Sequence, residues 1–96
     1  MSRITIKTSG GHIYTAMYAG IGLNGCFKSQ IYDTRRLPDI AAELDAQSRL
    51  EIYNDASSET PSEVFEGYSR LIRIESVDAE TTMIVLDKEA TDASEI

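Results

Sequence analysis

Apolar and polar residues alternate along most of this chain in short runs with the period of two that marks half-buried strands. From Arg3 to Lys7, Ile4 and Ile6 share one side and Arg3, Thr5 and Lys7 the other. Gly10-Gly11 then supplies a hairpin turn, since both positions accept positive φ. His12 to Tyr18 returns as a second strand. Here Ile13 and Met17 are expected to face the core, which turns Tyr14 and Tyr18 outward. Ala19 to Gly25 reads as a glycine-rich loop ending in an Asn24-Gly25 turn, and Cys26 to Tyr32 as a third strand.

The period changes once. Leu37, Ile40, Ala41 and Leu44 fall at i, i+3, i+4 and i+7, one apolar helix face. Pro38 suits a first helical position, and Asp39 and Glu43 lie toward the positive end of the dipole. The helix is predicted over Pro38 to Ala46. Arg49 to Tyr53 reverts to alternation and predicts a fourth strand; the competing reading runs the helix on through Tyr53. Asn54 to Ser62 is a polar loop. It leads into Thr60-Pro61-Ser62-Glu63, which has the form of a capping box and predicts a helical turn to Glu66, stopped by Gly67. The stretch Tyr68 to Lys88 closes the domain as a hairpin. Ile72 and Ile74 alternate with Arg73 and Glu75, Val77 to Glu80 turns the chain, and Met83 to Leu86 is an unbroken apolar run suited to the middle of a sheet.

The fold these elements predict is α+β: an antiparallel β-sheet of about five to six strands with one main α-helix packed on one face. The order is β-β-β-α-β-(short α)-β-β. A single domain is expected over 1–88, with 89–96 a flexible acidic tail.

At 96 residues the chain can bury one modest core. No apolar run approaches the roughly 18 residues that span a bilayer, and the N-terminus has no signal-peptide centre. The single cysteine, Cys26, makes no internal disulfide, which points to a reducing, cytoplasmic setting. One Cys and one His exclude a structural zinc site, which takes four such ligands.

Charge changes the picture more. The formal net charge is −7. Residues 1–50 carry six lysines and arginines against four acids, a net +2, whereas residues 51–96 carry three against twelve, a net −9. Such lopsidedness reads first as a solvated acidic face that keeps a small domain soluble, and alternatively as an acidic surface that meets a basic partner.

Candidate chemistry is sparse. Nucleophilic catalysis needs a nucleophile beside an oriented base, and the only histidine, His12, flanks a tight turn. Cys26 lies beside Phe27 in a strand with no neighbouring base. The loop from Asn54 lacks the ligand pattern of a calcium loop. Gly20-Ile21-Gly22-Leu23-Asn24-Gly25 matches G-x-G-x-x-G, but a strand follows it where a nucleotide loop needs a helix. No enzyme signature emerges, and no cofactor or metal is expected. The residues suited to a partner are Tyr14, Tyr18 and Tyr32 with Lys28, Arg35 and Arg36, because tyrosine and arginine dominate binding hot spots. Glu63 and Glu66 represent the acidic half.

In overall character the chain resembles the small, acidic, phage-encoded inhibitors of host nucleic-acid machinery, anti-CRISPR proteins in particular. The shared features are one compact domain, a strand at the very N-terminus (Arg3 to Lys7), an acidic C-terminal half and no catalytic constellation. The resemblance implies a non-enzymatic inhibitor, acting in the host bacterial cytoplasm. It would dock on an RNA-guided surveillance complex and block target DNA binding. The acidic half would substitute for phosphate in a channel lined by Lys and Arg. Lys28, Arg35, Arg36 and the tyrosines would meet the guide RNA or an acidic protein patch. The alternatives are a phage assembly or oligomerising accessory protein, and a small ligand-binding domain using the Gly20–Gly25 loop.

Overall fold

Seven strands and one helix follow one another along the chain in the computed structural model, which describes residues 3–47, 49–55 and 57–88. They are β1 (Ile4–Thr8), β2 (Ile13–Ile21), β3 (Phe27–Ile31), α1 (Leu37–Leu44), β4 (Arg49–Tyr53), β5 (Glu63–Glu66), β6 (Arg70–Ser76) and β7 (Thr82–Asp87). The expected tail, 89–96, lies outside the described residues.

All seven strands join one antiparallel sheet in the order β5-β4-β1-β2-β3-β7-β6. This corrects the expected fold class. The protein is a seven-stranded sheet with a single eight-residue helix, not five to six strands beneath a main helix. The extra strand is β5, where the capping-box reading placed a helical turn. Ser62 donates its backbone N–H to the Ile52 carbonyl, and Leu50 and Ile52 then pair with Phe65 and Glu63. A ladder with a distant strand satisfies the backbone better than one isolated helical turn does.

The order of the strands requires the sheet to curl. β5 and β6 stand at opposite edges, yet only Gly67, Tyr68 and Ser69 join them. Four peptide steps reach at most about 14 Å, whereas six strand spacings would separate the edges of a flat sheet by about 29 Å. The chain from Glu63 to Ser76 is in effect one long strand bent at Gly67 (φ 86°), pairing first with β4 and then with β7. The result is a barrel-like half-closed cylinder with an inner and an outer wall. Phe27 of β3 and Phe65 of β5, from distant parts of the strand order, meet inside with ring centroids 5.3 Å apart, and Tyr68 packs edge-on to Phe65.

The inner wall is the core. Ile6, Ala16, Phe27, Ile31, Leu50, Ile52, Ile84 and Leu86 are almost fully buried there, with Ile40 and Leu44 of α1 inserted among them. The helix stops two residues short of the predicted end, at Leu44. Ala46 takes a left-handed φ of 64° and donates its N–H to the Ser69 carbonyl beside the bend. β4 forms where alternation predicted it, and β7 is an interior strand between β3 and β6.

Three expected facings on β2 are reversed: Tyr14 is buried, whereas Ile13 and Met17, expected in the core, are exposed, Met17 by 41%. Directly opposed residues share a face, and Ile6 opposes Tyr14 while Lys7 opposes Ile13. With Ile6 inside, Tyr14 is inside too, and Ile13 is 63% exposed on the outer wall. Bulging at Met17 then restarts the alternation, so Tyr18 faces outward opposite Gln30. β2 also runs on to Ile21, which leaves only Gly22 to Gly25 as the turn. A second irregularity between Leu71 and Arg73 turns Ile72 outward, away from the face of Ile74.

Candidate binding surface

The eight residues singled out in the sequence do not form one site. Tyr14 is buried, with its hydroxyl donating to the Glu43 carboxylate on α1. Arg35 grips that carboxylate with both terminal nitrogens, at 2.7 and 2.8 Å, and also binds Asp33. These ties hold the link from β3 to α1 against β2. Arg35, through its side-chain hydrogen bonds, and then Tyr14 hold the Glu43 carboxyl down at about 2, and Arg35 lowers Asp33 as well. Burial, then Glu43, pushes the Tyr14 hydroxyl up. His12 lies 3.8 Å from Glu43 at the edge of this cluster. Tyr14 and Arg35 are therefore structural, while Arg36 is exposed just before the helix.

Tyr18, Lys28 and Tyr32 belong to the outer wall. Arg3 stacks over the Tyr32 ring at 4.3 Å, and Lys7 over Tyr53 at 4.9 Å. The strands β1, β2 and β3 carry no acidic residue at all. The acids that neighbouring strands place on this wall are paired: Glu51 and Glu66 with Arg49, Glu75 with Arg73, and Asp87 with Arg70. Arg3, Lys7 and Lys28 form no ion pair among the described residues, although Lys7 stands across the ladder from Glu51, which Arg49 pairs. A molecule of net charge −7 thus has an outer wall that is locally cationic.

Acids past residue 50 without a lysine or arginine partner among the described residues gather in two loops. Asp55 and Glu59 precede Glu63 at the rim of β5, and Asp78 and Glu80 form the β6–β7 turn. Asp55 accepts hydrogen bonds from the N–H and hydroxyl of Ser57, and Asp78 from the Glu80 N–H and then from the hydroxyl and N–H of Thr81, which lowers both. Glu63 is thus an exposed loop-end acid, while Glu66 is tied to Arg49. Neither the tyrosine facing nor this neutralisation by arginine could be seen in one dimension.

Around the β2–β3 turn the outer wall is grooved. A recess of about 200 Å³ lies between Tyr18, Gly20 and Lys28. A neighbouring one of about 280 Å³ runs from Lys28 and Gly22 across to Ile72 and Met83. Ile21, exposed by 44%, lines the first, and Ile72, exposed by 49%, the second; Leu23 is fully exposed in the turn between Gly22 and Asn24. The glycine-rich string contributes strand and turn: Gly25 has φ 82°, and Asn24 caps the Cys26 N–H. No helix begins there, so it offers none of the N–H convergence that a pyrophosphate needs. Among the described residues, no three His, Cys, Asp or Glu side chains converge as metal ligands do. Cys26 is buried and its thiol is raised by desolvation and by Asp87. No helix among the described residues is long and apolar enough to cross a membrane.

Compared with known protein families, curated proteins and solved structures, the chain matches none.

Proposed function

We propose that this chain is a non-enzymatic binding protein that inhibits a nucleic-acid-handling complex by occupying its surface. The observation that carries the reading is the segregation of charge. Acids on the outer wall are neutralised by neighbouring arginines, whereas Asp55, Glu59, Asp78 and Glu80 in two loops and Glu63 at the start of β5 are exposed without such partners among the described residues. Loop carboxylates of this kind present charge at protruding points, as phosphates do along a backbone, and suit a partner surface built of lysine and arginine. The finer reading is an anti-CRISPR-type inhibitor. It covers the DNA channel of an RNA-guided surveillance complex and so blocks target DNA binding.

The test is the affinity of the purified protein for such a complex across a salt series. Docking by charge predicts an affinity that falls steeply with salt, and a Glu59→Gln, Glu63→Gln, Glu80→Gln triple variant that binds at least tenfold more weakly. Among the described residues, these three glutamates make no side-chain hydrogen bond or ion pair. An affinity indifferent to salt, or retained by the triple variant, rules the reading out.

A further inference from the structure

The geometry points to a second binding site, on the opposite kind of surface: a slot for an unstacked base of single-stranded nucleic acid between Tyr18 and Lys28 on the outer wall. Three observations support it. Beyond the bulge, Tyr18 opposes Gln30 and Gly20 opposes Lys28, so the aromatic ring, the bare glycine backbone and the ammonium share one face. Tyr18 is 36% exposed. A Cβ built on Gly20 would meet nothing within 4 Å, so the floor of the slot is open backbone beside the ring.

The recess, about 200 Å³, is smaller than the roughly 300–1,000 Å³ that encloses a whole small ligand. It seats one planar group. A base stacked on Tyr18 would leave its phosphate toward Lys28, and the strand would continue over the larger recess between Lys28 and the exposed Ile72. Base–aromatic stacking is sequence-tolerant and contributes about 1–3 kcal/mol per base. Stacking is needed here because few cations are available. Arg3, Lys7 and Lys28 neutralise few phosphates, and the chain as a whole repels nucleic acid. A duplex, whose bases are already stacked and paired, gains nothing from the slot. The wall tolerates a polyanion because β1, β2 and β3 contain no acid and the flanking acids are already paired.

The experiment is fluorescence anisotropy of the full chain with labelled oligo-U and oligo-dT of about 12 nucleotides, within the range of single-strand site sizes. Binding of either supports the slot, and the preferred one tells RNA from DNA. Gly20→Val puts a side chain on the floor where a Cβ has no neighbour within 4 Å, and it places a strand-forming residue there. It is expected to weaken binding about 5- to 150-fold, the equivalent of one lost stacked base. Lys28→Gln is expected to weaken binding and flatten its salt dependence, and Tyr18→Ala repeats the first test should the valine variant melt early. Three results overturn the slot: no binding of either oligonucleotide, a well-folded Gly20→Val that binds like the wild type, or duplex DNA or polyglutamate binding as tightly as the single strands. The loop variant Glu59→Gln should bind oligonucleotide within about twofold of the wild type. Loss of oligonucleotide binding with intact docking on a surveillance complex sinks the slot alone, and the converse sinks the inhibitor reading alone.

Discussion

Tyr14 illustrates how one buried hydroxyl organises its neighbourhood. Its ring fills the inner wall beside Ile6, and its O–H must find an acceptor there, because an unpaired buried hydroxyl is destabilising. Glu43 accepts it and in turn fixes Arg35. Removing only the hydroxyl, in Tyr14→Phe, should lower stability by about 1 kcal/mol in urea unfolding. The same cluster sets a pH dependence. Glu43 falls from its ordinary 4.5 to about 2 in the folded protein, so its stabilisation is complete above the unfolded value. It is then lost as pH falls from 4.5 toward 2. Unfolding curves across that range should therefore show stability declining with acid. The decline should be shallower in Glu43→Gln, where only Asp33 keeps its link to Arg35.

At the scale of elements, the bent strand from Glu63 to Ser76 decides the architecture. Gly67 sits at the bend with φ 86°, a conformation that costs a residue with a side chain about 1–2 kcal/mol. Gly67→Val should lose at least that much, because β-branching adds to the strain and the bend carries both edge pairings. Gly20→Val, by contrast, should leave the melting temperature nearly unchanged, since its backbone is ordinary strand and a Cβ there has no neighbour within 4 Å. The pair of variants separates a glycine needed for the chain path from one whose missing side chain leaves room. Inside the bend, Phe27 is fully buried against Phe65 and Tyr68. Phe27→Ala should lose about 3–5 kcal/mol, enough to leave a domain of this size marginal.

For the whole molecule, charge is sorted by location more than by position in the chain. The sequence-level contrast of +2 and −9 between the halves does not show where the charges lie. Arg70 and Arg73, already counted in the −9, and Arg49 from the first half pair with the acids of the outer wall. What remains is a cationic wall and two acidic loops. The two proposed ligands, of opposite charge, would address separate surfaces, and a salt titration should affect both while each loop or wall variant affects only one. Covering Ile13, Ile21, Leu23 and Ile72 on binding should also give a negative heat-capacity change in calorimetry.

Local patterns were enough to locate six of the seven strands, the glycine turns and the helix, because alternation, an apolar run, a Gly-Gly or Asn-Gly pair and i, i+3, i+4, i+7 spacing each depend on near neighbours in sequence. Tertiary structure decided what depends on distant residues. Which side of β2 is buried follows from its register with Ile6, and β5 exists only because β4 offers it a ladder. The closing of the sheet follows from three residues bridging its two edges. The candidate surface was legible only as residue types: Tyr18 and Lys28 were singled out, but the slot needs a bulge at Met17 and a register that sets Gly20 beside them. A sequence pattern records what each residue prefers beside its chain neighbours. Pairing, facing and neutralisation are settled between strands brought together from far along the chain.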